Sequence, residues 1–510
     1  MSRSSSAARG WWSLTAIAAG WVALAPAAGG AQAGLKLGGR LEPLVDDYLI
    51  ERLSGGARQV LHSPTPREVA ITHDAPWEGS ASGYHTVFKD GNRYRMYYRG
   101  QDMEVKGTRL VYNNPESICY AESADGIRFT KPKLGIVEFA GSRENNILRD
   151  RFGTHNFAPV IDTRPNCPAE ARYKALGGVK GAKEGDGLFA FRSADGIHWE
   201  LLSEKPVLTQ GFFDSQNIAF WDAPSDQYRA YFRDFRDGGR DIKTSTSPDF
   251  LHWSTPEFLD YVDGRKTQLY TNQVIPSPGA PHILLGFPTR YITGRGLLTP
   301  LNEMVARAHP RYGNDYTDGG FMTSRDGKRF KVWSSAFLRP GPTREGRWMY
   351  GGHYQNWGLV ETHAEASIPE LQPFLPPDPG VEWSLYSSEG GWAGHTNRMR
   401  RYTVRQHGLV SVQTRESLGE LLTRPIEMTG GSLEINFATS AAGALQVEIQ
   451  SPEGTPVPGY ALADCPEQFG DSTTHRVRWR SGDSLKSLTG KTVRLRFALR
   501  DADLFALRFR

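Results

Sequence analysis

The sequence predicts an all-β chain, a five-bladed β-propeller followed by a C-terminal β-sandwich. Three observations carry that expectation: a recurring Ser-x-Asp turn, period-two alternation of apolar residues between the turns, and a change of pattern after residue 405. The turn reads Ser123-Ala-Asp125-Gly-Ile-Arg-Phe129, Ser193-Ala-Asp195-Gly-Ile-His-Trp199, Ser247-Pro-Asp249-Phe-Leu-His-Trp253 and Ser324-Arg-Asp326-Gly-Lys-Arg-Phe330, with Tyr386-Ser-Ser388-Glu389-Gly390 as a degenerate fifth. The four aspartates lie 70, 54 and 77 residues apart, the spacing of one supersecondary unit per repeat. Asp-Gly suits a tight turn, because Gly tolerates φ > 0 and Asp bonds its own backbone.

Within each unit the elements follow in order. An apolar strand comes first (Tyr84 to Lys89, Phe157 to Asp162, Ile218 to Asp222, Leu269 to Ile275), and a Tyr- or Leu-rich strand second (Tyr94 to Arg99, Tyr173 to Gly177, Tyr228 to Arg233, Ile283 to Phe287). The third strand runs into the Ser-x-Asp turn, and the fourth carries the closing aromatic, which is expected to pack between blades. Residues 67–404 form this propeller. From 405 to 510, segments such as Gly443-Ala-Leu-Gln-Val-Glu-Ile449 and Val493-Arg-Leu-Arg-Phe497 alternate as sandwich strands do. Residues 34–66, with Val45-Asp-Asp-Tyr-Leu-Ile50, read as an N-terminal strand segment packed at the edge of one of the domains.

Residues 1–33 read as a signal peptide: Arg3 and Arg9, an apolar stretch from Trp11, and Ala31-Gln32-Ala33 as a cleavage site. The expected destination is secreted or periplasmic, with no membrane association after cleavage. The composition is that of an ordinary globular protein, 39% hydrophobic and 23% charged, which excludes a disordered chain. Sixty basic against 56 acidic residues leave no field to recruit nucleic acid. Cys119, Cys167 and Cys465 match no zinc spacing and read as small buried residues.

Together these motifs resemble the five-bladed propeller glycoside hydrolases, the clan of families 32, 43, 68 and 130. A propeller followed by a sandwich is most similar to family 32. Val45-Asp-Asp-Tyr-Leu-Ile50, Phe213-Asp-Ser-Gln-Asn217 and Ala498-Leu-Arg-Asp-Ala-Asp-Leu504 are similar to segments of secreted bacterial family-32-like proteins. The family-32 signatures Trp-Met-Asn-Asp-Pro-Asn-Gly, Arg-Asp-Pro and Glu-Cys do not occur. The resemblance therefore implies only the clan's general logic, in which carboxylates from the inner strands meet at the propeller axis.

In an up-and-down blade, the start of the inner strand and the second-to-third connection share one face. The Ser-x-Asp turns lie on the other, which assigns Asp125, Asp195, Asp249 and Asp326 to structure. Cleaving a glycosidic bond takes two carboxyl groups, one to protonate the leaving oxygen and one to activate water or attack carbon. The candidates on the axial face are Glu78 and Asp214, with Asp318 as a third that orients the pair or stabilises positive charge. Asp214 is the proton donor by the position the clan gives its acid. In the second blade His155 and Asn156 stand where the clan presents an aspartate.

Expected substrate contacts are Trp77, His85, His155, Asn156, Arg233, Arg240, Asn272, Arg290, His353 and Tyr354. Arg99, Arg233, Arg240 and Arg290 on one face would suit a uronate, sulfate or phosphate group, so the carbohydrate partner includes anionic sugars among its candidates. No cofactor is expected. A divalent cation on His85, His155 and His353 is an alternative that the spacing does not support. The leading reading is a secreted glycoside hydrolase. A non-catalytic carbohydrate-binding propeller is its rival, and a lyase or phosphorylase using the same pocket a third.

Overall fold

The computed structural model describes residues 33–150, 152–178, 187–264, 267–344, 346–363, 381–391 and 397–510; the signal peptide expected at residues 1–33 lies outside them save for Ala33. Strands dominate the described residues, and beside a nine-stranded, a three-stranded and a two-stranded sheet they form five sheets of four or five strands that follow one another along the chain. From its innermost strand outward, the first sheet runs Gly83–Asp90, Arg93–Gly100, Ser117–Ser123 and Ile147–Arg149. The second and third begin at His155–Ile161 and Ile218–Asp222, and the fourth at Val274–Ser277. The fifth holds Val360–His363, Val381–Glu389 and Arg398–Arg405, and its outermost strand is Thr65–Thr72.

The second strands are apolar on both faces because each sheet is covered on both sides. In Arg93–Gly100, Met96 and Tyr98 pack toward the fifth sheet with Tyr386 and Met399, while Tyr97 packs toward the second with Phe189 and Phe191. The innermost strands of successive sheets lie side by side. The ring closes where Thr86 bridges Trp357 and the Trp357 indole donates to the Val274 carbonyl. Amides lock its centre: Gln273 Nε2 donates to Gln216 Oε1 at 2.6 Å and to the Gln355 carbonyl at 2.8 Å, and Gln216 donates to Thr86.

The four Ser-x-Asp turns share one construction. One Asp oxygen accepts the backbone amides two and three residues on, Ile127 and Arg128 in the first and Ile197 and His198 in the second. Gly126, Gly196 and Gly327 sit at φ 72° to 78°, and Phe250 takes that conformation in the third turn. A tyrosine from the preceding sheet bonds the carbonyl of the glycine: Tyr97 to Gly196, Tyr231 to Gly327 and Tyr386 to Gly126. The closing aromatics Phe129, Trp199 and Phe330 meet the rings of the same tyrosines, so these turns are stitches between sheets.

The degenerate fifth repeat is different. Tyr386 to Glu389 lie inside strand Val381–Glu389 and form no turn. The fifth sheet takes its outer strand from the N-terminal side of the chain, so it has no third-to-fourth connection to build. Glu389 is instead a buried hub that binds Arg347, Arg398 and Arg400 at 2.8–3.2 Å.

After residue 405 the chain contributes six strands to one nine-stranded sheet that curls on itself, where the sequence predicts a pair of sheets. Its spine is two paired 18-residue strands, Leu433–Gln450 and Thr492–Phe509. A register shift between Thr439 and Ala444 bends the pair, so that Ile435 and Phe437 on one limb and Val447 and Ile449 on the other line one core. The N-terminal segment adds Glu42–Pro43, Ile50–Ser54 and Arg58–Leu61 to this sheet.

Candidate active site

One face of the ring carries the starts of the innermost strands, and its backbone is strained there. Tyr84, Asn156, Gln273 and His353 occupy φ of 46° to 58°, a region that costs a non-glycine residue about 1 kcal/mol or more. The ladder register shifts between Gly83 and Thr86 and between His155 and Ala158. Such bulges re-aim side chains, and here they deliver Tyr84 and His155 to the mouth of the ring.

His155 is the centre of a three-residue row. Its Nδ1 lies 3.1 Å from Glu116 and its Nε2 3.3 Å from Asp214 Oδ1. Asn156, the next residue, reaches the same Nε2 from 3.0 Å. Burial disfavours the imidazolium, but the hydrogen bonds to Asp214 and Glu116 outweigh it and raise the His155 pKa. Asp214 stands open to solvent on 56% of its side chain. Burial of its surroundings would raise its carboxyl, yet the His155 hydrogen bond and the Arg233 and Arg99 charges hold it at about 2. At that value the carboxyl favours its ionised form at neutral pH, which argues against Asp214 as the proton donor. Glu116 and Asp214 thus stand on opposite nitrogens of one imidazole, which lies between them.

Arginines and tyrosines surround the row. Arg233, on strand Gln227–Arg236, is 2% exposed and lies 3.7 Å from Asp214. Its guanidinium stacks on Phe212 and on Tyr270, 4.9 Å from the latter's centroid. Arg240, on Gly239–Ser247, covers Tyr270 at 5.1 Å and Tyr291 at 3.9 Å. Arg99 lies over Tyr84 at 4.7 Å and donates to the Ala81 carbonyl. Tyr84, Tyr270, Tyr291 and Tyr350 form one buried cluster, with Tyr312 and Tyr354 packed against it. An insertion in the fourth sheet, with short helices at Pro300–Ala306 and Pro310–Asn314, supplies Tyr312 and Arg311. Tyr112, Phe212 and Phe235 are 40–45% exposed, and Phe212 and Phe235 meet edge to face above Arg233.

The structure thus gathers Asp214, His155, Asn156, Arg233, Arg240 and Tyr354 of the sequence-derived set. Others are placed elsewhere. Glu78 is wholly enclosed: its oxygens take Lys131 and Tyr98, each at 2.5 Å, and the Ala75 amide. A carboxylate with no exposed surface and three donors cannot meet a sugar, so Glu78 is corrected to a structural ion-pair partner. Asp318 is held in a two-pronged pair by Arg290 at 2.6 and 2.7 Å, beside a separate cavity of about 550 Å³ that also takes in Trp348 and Leu298. The Trp77 indole bonds Asn146 and packs on Phe139. His85 bonds His73 at 2.8 Å and stacks on Tyr98, and Asn272 caps the Val274 amide and bonds the Tyr231 carbonyl. His353 is fully buried, and neither ring nitrogen has a protein partner among the described residues. Among those residues no three His, Cys, Asp or Glu side chains are arranged to hold a metal ion.

The sequence reading passed over Glu116, Tyr84, Tyr270 as a charged-ring partner, and Tyr350. Glu116 stands one residue before strand Ser117–Ser123, in the second-to-third connection of the first sheet, so the rule that sorted faces would have admitted it.

No family model matches the chain, and no curated protein sequence matches it. Among solved structures it is similar to an N-acetylgalactosamine deacetylase from F. plautii in complex with blood group B trisaccharide, at 13% identity and a TM-score of 0.43, over 72% of this chain and 96% of that one. It is also similar to a GH130-family glycoside hydrolase that targets β-1,2 mannosidic linkages in Candida mannan, at 15% identity and 0.37, over 71% and 96%. An endo-arabinase from Bacteroides thetaiotaomicron matches at 8% identity and 0.39, over 66% and 98%. At these scores the likeness assigns neither activity nor ligand.

Proposed function

We propose that this chain is a glycosidase built on a five-bladed β-propeller, and that it cleaves a sugar bearing a negative charge at the mouth of the ring. The observation that carries the reading is the Glu116–His155–Asp214 row, two carboxylates on opposite nitrogens of one imidazole. Asp214, ionised and open to solvent, is the base that takes a proton from the attacking water as the C–O bond to the leaving sugar breaks. The proton for the leaving oxygen comes from the hydrogen-bonded pair of Glu116 and His155.

The charge balance of the mouth supports an anionic substrate. Arg99, Arg233, Arg240 and Arg311 face three carboxylates, Glu116, Asp214 and Asp315, the last bonded by the Tyr291 hydroxyl, and the His155 imidazole is itself pushed toward its charged form. A uronate or sulfate ester would offset that excess, and the planar guanidinium suits both. The exposed rings of Phe212, Phe235 and Tyr112 offer flat apolar surface for sugar faces. The apolar segment within residues 1–33 supports action outside the cytoplasm.

The test is a panel of neutral, uronic-acid and sulfated oligosaccharides assayed for new reducing ends, with Glu116→Gln in parallel. We expect cleavage confined to charged sugars and lost in the variant. Sugars that bind without cleavage would favour the non-catalytic carbohydrate-binding alternative, and cleavage unaffected by Glu116→Gln would remove the row from the mechanism.

A further inference from the structure

The most unusual side chain of the mouth is a phenol. Tyr270 is 6% exposed, and its ring is covered by two guanidinium groups, Arg233 at 4.9 Å and Arg240 at 5.1 Å. Its hydroxyl lies 3.4 Å from that of Tyr350, and its ring packs 5.2 Å from Tyr354. It is therefore a phenol whose immediate neighbours are cations and other phenols.

Charge around such a group decides where its proton goes. Arg233 and Arg240 from the third sheet and Arg311 from the helical insertion favour a phenolate; Asp214, in the loop before the third sheet, opposes it. Tyr84 from the first sheet, Tyr291 from the strand Thr289–Ile292, and Tyr350 and Tyr354 from the segment before Val360–His363 complete the shell. The sign is readable. Burial would raise the Tyr270 pKa, but the Arg233 charge, with the Tyr350 hydrogen bond and Arg240, overcomes it and the net shift is downward. The cluster's other phenols Tyr84, Tyr291, Tyr350 and Tyr354 are all pushed the other way.

We propose that Tyr270 and an anionic ligand share the Arg233 and Arg240 guanidiniums, so that binding of a carboxylate or sulfate at the mouth makes Tyr270 take up a proton. An anion that neutralises those cations removes what favours the phenolate, and linkage makes the effect reciprocal: the protonated phenol leaves both guanidiniums to the ligand. Arg233 carries the geometry for this role, since its Nε has no partner among the described residues and its carboxylate contact is a loose 3.7 Å. The inference deepens the proposed function by naming a proton that arrives with the substrate. It rests on that reading only for the identity of the mouth's ligand.

The experiment needs no turnover. Tyrosinate ultraviolet absorbance is followed against pH in the full-length protein, alone and with sodium sulfate or sodium glucuronate, against sodium chloride at equal ionic strength. We expect one of the 20 tyrosines to ionise before the rest, that step to be lost in Tyr270→Phe, and sulfate or glucuronate to move it to higher pH while chloride does not. A response to only one of the two anions separates a sulfate from a carboxylate subsite. Arg240→Gln serves as second variant and should move the step upward without an anion. The inference is overturned if no early step exists, if it survives Tyr270→Phe, if Arg240→Gln leaves it in place, or if neither anion moves it. A glycosidase that cleaves charged sugars but fails this titration would keep its function and lose the linkage, and a protein inert to every sugar could still pass it.

Discussion

His155 Nε2 stands 3.3 Å from Asp214 Oδ1 while the opposite ring nitrogen is held by Glu116, so an imidazole whose charge burial opposes is pushed toward its charged form by two carboxylates. Asp214→Asn should lower turnover roughly 10²–10⁴-fold, the usual contribution of a positioned acid or base, with the fold intact because the side chain is more than half exposed. The same substitution should lower the His155 pKa, read by NMR titration. The pair's effect on stability has a defined window. Asp214, depressed below its ordinary 3.8, contributes above that value and loses the contribution as pH falls toward 2. His155, raised above 6.5, contributes in full below 6.5 and loses it as pH rises through its folded value. Urea midpoints of wild type and Asp214→Asn should therefore differ most between about pH 4 and 6.5.

Glu78→Gln separates structure from chemistry. Lys131 and Tyr98 converge on this enclosed carboxylate, so we expect a loss of roughly 2–4 kcal/mol in denaturant unfolding with the turnover of the folded protein unchanged. Turnover that falls with stability intact would return Glu78 to the catalytic machinery.

Glu389→Gln should be more damaging, because three guanidiniums lose a single buried carboxylate, and a cost of about 3–5 kcal/mol is expected in thermal or chemical unfolding. Burial raises the Glu389 carboxyl, but hydrogen bonding to Arg400 and the Arg400 and Arg347 charges hold it at about 2. The contribution is complete above 4.5, the ordinary value, and fades as pH falls toward 2, so the wild type should lose its advantage over the variant in acid.

Asp195→Ala tests the sorting of faces. The side chain accepts the Ile197 and His198 amides on the side of the ring away from the mouth, and its removal should cost about 0.5–2 kcal/mol, as the loss of a cap does. Sugar cleavage should be unaffected. A lower rate with unchanged stability would contradict the placement.

The repeated turns were legible because their chemistry is local: Ser, Asp and Gly within four residues determine both the hydrogen bonds and the positive φ. Glu78 and Asp214 looked alike because each precedes an innermost strand by a few residues. What separates them is Lys131, 53 residues downstream of Glu78, which neutralises that carboxylate across a gap no local pattern records. Glu116 was missed for the mirror reason, since its partner His155 belongs to the next sheet, 39 residues on. In the C-terminal part, Ser440-Ala-Ala-Gly443 reads as a turn between two strands, whereas the structure absorbs it as a bend within one. Alternation is the same in either case, and only pairing with Thr492–Phe509 distinguishes them.

The strand Thr65–Thr72 completes a sheet whose other members, Val360–His363, Val381–Glu389 and Arg398–Arg405, lie far later in the chain, and the segment before it is bound into the C-terminal sheet. During synthesis the first strands to emerge have no partner until nearly the whole chain has been made. Folding must then wait for the last-made residues, a topology of high contact order that favours slow closure and long exposure of unpaired edges. A stop between Arg405 and Val410 would leave the sheets of the ring present and strip Ile50–Ser54 and Arg58–Leu61 of their neighbours, so the beginning of this protein is held in place by its C-terminal part.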